Sequence, residues 1–160
     1  MARAANINRS KIHEPMVQRL CTDKLPELGK SLFPTIREFM TFSALLGYSE
    51  GRKIPLDKSQ GVEDIAGAQF EHNEAIEILW AIGIAETKSS DILREGHEGE
   101  CAQIFEEYAN GGMTLVSEWL EEYADQSPDK AIIVGLHKAG YITSSSSDAD
   151  VEQQIADISF

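Results

Sequence analysis

SLFPTIREFMTFSALLGYSEGRKIPL, residues 31–56, carries a full set of helix boundary signals. Thr35 followed three positions later by Glu38 is a capping box: the threonine hydroxyl accepts from the backbone N–H of Glu38, and the glutamate reaches back to the N–H of Thr35. Pro34 keeps a helix from running in from upstream. Ile36, Phe39, Met40, Ser43 and Leu46 form one stripe, and Phe42 and Leu45 add a second. A helix apolar over so much of its circumference is expected to be buried. Gly47 is the expected left-handed terminator, followed by a turn with Gly51 and the basic pair Arg52-Lys53.

Working outward, residues 1–12 are polar and basic and are expected to form a flexible arm. From Glu14, the residues Met16, Val17, Leu20, Cys21 and Leu25 recur on one helical face until Pro26 and Gly29. SQGVEDIAGAQ, residues 59–69, reads as a loop. Phe70 to Ala85 reads as a strong helix, with Phe70, Ala75, Ile76, Leu79, Trp80, Gly83 and Ile84 on its apolar side and Glu71, Glu74 and Glu77 facing water. Ser90-Asp91 caps a short piece. A helix from Glu100 to Asn110 is expected to break at Gly111-Gly112, and a second amphipathic helix covers Met113 to Ala124. Ser127-Pro128 is a cap with proline at the first helical position, opening a helix that ends near Gly140. The serine run 144–147 reads as a linker, and Val151, Ile155 and Ile158 are spaced helically in the tail. Short β-branched clusters occur only at Ile132–Val134 and Tyr141–Thr143, and no solenoid repeat is found. The expected architecture is all-α. A compact bundle of five to seven helices over residues 13–143 would follow the 1–12 arm and precede a 144–160 linker and tail.

Charge is divided along the chain. Residues 1–58 hold ten Lys/Arg against six Asp/Glu, whereas residues 59–160 hold four against twenty-one. A basic head on an acidic body suits different partners at its two ends. The net charge of −13 opposes generic DNA binding by the whole molecule. A hydrophobic share of 42% supports a single core and excludes disorder throughout. No apolar run approaches the roughly 20 residues of a membrane span. The segment MARAANINRSKIHEP has no apolar h-region, so it is not expected to be a secretory signal. Cys21 and Cys101 stand alone, which fits a reducing cytoplasm and neither a disulfide framework nor a zinc motif.

No motif commits the chain to a reaction. Gly29-Lys30-Ser31 has the end of a phosphate-binding loop, but Lys24 occupies the place of its first glycine. His97 and Cys101 have helical metal spacing without a second recognisable pair, so a solvated acidic face is the better reading. No nucleophile elbow occurs. Paired carboxylates such as Glu106-Glu107 and Glu121-Glu122 diverge by about 100° on a helix. Catalytic residues, metal ligands and cofactors are therefore all expected to be none. The candidates for nucleic-acid contact are Arg9, Lys11, Arg37, Arg52 and Lys53; the competing reading is that they neutralise the acidic body. The candidates for partner binding are Glu71, Glu74, Glu77, Glu118, Glu121 and Glu122, against the reading that they only solvate the surface.

HEPMVQRL from residue 13, followed by LFPTIREFMTFSALLGYSEGRKIPL, resembles the N-terminal signature of the small accessory proteins associated with DNA phosphorothioation (Dnd) systems. Phe33, Pro34, Thr35, Arg37, Glu38, Met40, Phe42, Gly47, Gly51 and Pro55-Leu56 match that pattern, and Ser43 replaces its small apolar residue. The acidic helix FEHNEAIEILWAIGIAE fits as well. The resemblance extends over about two-thirds of the chain, with the serine-rich tail outside it. It implies a bacterial role beside DNA sulfur modification and anti-phage restriction, and no catalytic residue. The leading expectation is a non-enzymatic cytoplasmic accessory protein. It would bind proteins of its system through the acidic body, keep its basic N-terminal region near DNA, have no membrane contact, and self-associate through opposite charges. The alternatives are direct DNA binding by residues 1–58, and a small metal-dependent hydrolase or nuclease using His97.

Overall fold

The computed structural model describes residues 3–143. The chain runs through β1 (Ile7–Ser10), α1 (Glu14–Cys21), α2 (Ile36–Ser49), β2 (Val62–Ile65), α3 (Ala68–Glu71), α4 (Ala75–Thr87), α5 (Glu98–Glu122) and α6 (Pro128–Lys138). Single 3-10 turns lie at Lys11–His13, Lys58–Gln60 and Ser90–Leu93. The serine run and the tail expected after it lie outside the described residues.

The capping box forms as the sequence requires. Thr35 is extended, its hydroxyl accepts from the Glu38 N–H at 3.1 Å, and the Glu38 carboxylate accepts from the Thr35 N–H at 3.2 Å. The stripe that follows becomes core, with Phe39 and Met40 fully buried. Phe33 packs on Phe39 and Phe42 at centroid distances of 5.0 and 5.4 Å. Phe70 of α3 meets Phe105 of α5 edge-on at 5.6 Å. Burying rings of this size contributes about 2–3 kcal/mol each.

The fold is mostly helical rather than all-α. Strands β1 and β2 pair antiparallel, Ile7 with Ile65 through Ser10 with Val62. Residues 7–10 are thus ordered strand within the expected flexible arm, and residues 62–65 are strand within the expected loop. Both segments, INRS and VEDI, are four residues long and largely polar, so neither shows alternation. They are held by the long-range pairing of two buried isoleucines and by the Lys11 N–H donating to the Gly61 carbonyl at 3.0 Å.

Three further boundaries differ from the sequence reading. α5 continues through Gly111-Gly112. These glycines do not break the helix, because they serve close approach: a Cβ at Gly111 would run into the Arg52 carbonyl, and one at Gly112 into the Ser43 carbonyl. Gly47 answers from α2, where a Cβ would collide with the Tyr108 carbonyl, and α2 runs past it to Ser49. The left-handed residue is instead Gly51, at φ 65°. The Phe70–Ala85 helix is two helices. Asn73 separates them, donating to the Gln69 carbonyl at 2.8 Å and accepting from the Ala75 N–H at 3.4 Å. The β-branched Ile132–Val134 lies inside α6.

The chain forms two compact units, one through Glu118 and one from Trp119. In the second, Ser127 is extended ahead of Pro128 at the start of α6 but makes no capping bond. Gly135 lies against the Trp119 indole, and Lys138 sits 4.8 Å above the Tyr123 ring.

Candidate functional site

The basic residues nominated from sequence are mostly tied to carboxylates. Arg9 is 7% exposed on β1 and pairs with Glu14 at 3.0 Å, while its Nε has no partner among the described residues. Lys11 lies 3.5 Å from Glu63 across the sheet. Arg52 pairs with Glu118 at 3.0 Å. Lys53 reaches Glu86 at 2.7 Å and Glu107 at 3.6 Å, and stands 5.8 Å over the Tyr108 ring. Arg37 differs: its guanidinium donates to the Gln69 carbonyl at 3.3 Å. The Arg9 pair stays within residues 1–58, whereas Lys11, Arg52 and Lys53 join that segment to acids of residues 59–160, so part of the charge asymmetry is neutralised within the fold.

The nominated acids divide likewise. Glu71 accepts from the Ala4 N–H at 2.9 Å, Glu118 holds Arg52, and Glu122 lies 3.8 Å from Lys138. Glu74, Glu77 and Glu121 are exposed, and no hydrogen bond or ion pair engages their carboxylates among the described residues.

Three polar arrangements were not nominated from sequence. Around Lys53, the Tyr108 hydroxyl donates to Glu86, whose other carboxylate oxygen accepts from Lys53. The Lys53 hydrogen bond, then the Tyr108 one, holds the Glu86 carboxyl below its ordinary range. The Lys53 ammonium is held above its ordinary range, chiefly by its Glu86 hydrogen bond. Burial, then the Glu86 bond, pushes Tyr108 up to about 12.

Deeper in, His13 Nε2 donates to Asn110 Oδ1 at 2.9 Å, since the Asn110 amide group itself donates to the Ile54 carbonyl at 3.1 Å. Burial holds His13 below its ordinary value. Beside it, Glu106 accepts from the backbone and side chain of Asn8 at 2.7 and 3.0 Å, and burial outweighs those bonds to hold its carboxyl high. The sequence signal for this layer was Asn110, a polar residue in an apolar helical register next to Gly111-Gly112.

His97 contacts Glu100 at 3.1 Å, whereas Cys101 is buried with its thiol towards the Leu79 carbonyl at 3.6 Å. The helical spacing of His97 and Cys101 therefore serves different surroundings. Burial pushes Cys101 up to about 11 and Cys21 up to about 12, far from the thiolate a nucleophile needs. Among the described residues, no group of three His, Cys, Asp or Glu side chains is disposed to hold a metal ion, and no helix is long and apolar enough to cross a membrane.

The class defined by these features is a small, mostly helical protein whose basic segments are bonded to its own acidic helices. The chain matches the family of DNA sulphur modification system-associated protein 4 over residues 6–154 and belongs to that family. The match reaches past the serine run, further than the two-thirds of the chain over which the resemblance was legible. Comparison with curated proteins and with solved structures finds no match.

Proposed function

We propose that the protein is a non-catalytic accessory component of a bacterial DNA phosphorothioation and restriction defence system, acting in the cytoplasm by binding proteins of that system. Family membership is the observation that carries this reading. The charge arrangement supports it. Glu74, Glu77 and Glu121 are acids left over after internal pairing, and they offer solvent-facing charge to a basic protein surface. Glu71, Glu118 and Glu122 already have internal partners, so they contribute less. The test is copurification of the tagged chain from cells carrying the whole system. System components are expected to come down with it, in smaller amount after Glu74→Lys and Glu121→Lys. If no component is retained, the reading is wrong.

A second reading, direct DNA contact by residues 1–58, has one favourable observation. Arg19, Lys24 and Lys30 are exposed with no carboxylate partner among the described residues, and Arg37 is bound only to a carbonyl. Arg9, Lys11, Arg52 and Lys53 would have to exchange their carboxylates for phosphate. This reading requires duplex binding that weakens steeply with salt and again with Arg37→Ala. Absence of binding at low salt removes it.

A further inference from the structure

We draw no further inference here: the strongest candidate, the small pocket between β1 and α5 where the buried Arg9 Nε has no partner among the described residues, carries nothing, because Asn8, Ser10, Glu106 and Asn110 close around it with no room for even a single water molecule.

Discussion

Replacing Gly112 by alanine sets two effects of opposite sign against each other. Inside a helix the exchange restricts the unfolded chain and stabilises by about 0.5–1 kcal/mol. At this position the new Cβ would overlap the Ser43 carbonyl oxygen and stand 2.6 Å from its carbon and 2.9 Å from its Cα. All three atoms are backbone of α2, so no side chain can swing aside. The crossing of α2 and α5 must open, and overpacking of a close-packed interior costs about 1–3 kcal/mol or more. The difference is a net loss of about 1–2 kcal/mol, which lowers the melting temperature of a protein this size by about 2–8 °C. Gly99, in the first turn of the same helix, has nothing within 4 Å of an added Cβ. Gly99→Ala is therefore expected to raise the melting temperature by about 1–3 °C. Thermal and urea unfolding followed by far-UV circular dichroism measure both. A Gly112→Ala variant as stable as the wild type would refute the view that these glycines exist for close approach.

Thr35→Ala removes the hydroxyl that caps α2 and is expected to cost about 1 kcal/mol in urea unfolding. His13 is held below its ordinary value of 6.5, so the unfolded chain binds the extra proton more readily. Stability is then full above about pH 6.5 and is lost as pH falls, and His13→Gln, which keeps a donor for Asn110, is expected to flatten the difference between pH 7.5 and 5.5. Glu106 is held above its ordinary 4.5, so the folded chain retains its proton longer and the carboxyl costs stability as pH rises from about 4.5 through that raised value. Glu106→Gln keeps an acceptor for Asn8 and is expected to abolish that decline. Lys53→Ala breaks a solvent-screened ion pair, and its effect is expected to stay below about 1 kcal/mol and to shrink in high salt.

The capped helix at Thr35–Ser49, the proline start at Pro128 and the burial of Phe39 and Phe70 were legible because each depends on near neighbours in sequence or on a 3.6-residue period. The family was legible for the same reason, since its signature lies in one contiguous stretch. Strands β1 and β2 were not legible, because each is four residues long and becomes a strand only on meeting the other, more than fifty positions away. Gly111-Gly112 was read as a break because local propensity disfavours glycine in helices. The deciding contact, the α2 backbone pressed against it, is visible only once the helices cross.

The same division holds for the charged residues. Sequence alone determined the basic head, the acidic body and the list of ionisable groups at each end. Only the tertiary structure decided which of those charges remain available. Coulomb attraction acts through space, so Arg52 finds Glu118 and Lys53 finds Glu86 and Glu107 across intervals that no local pattern encodes.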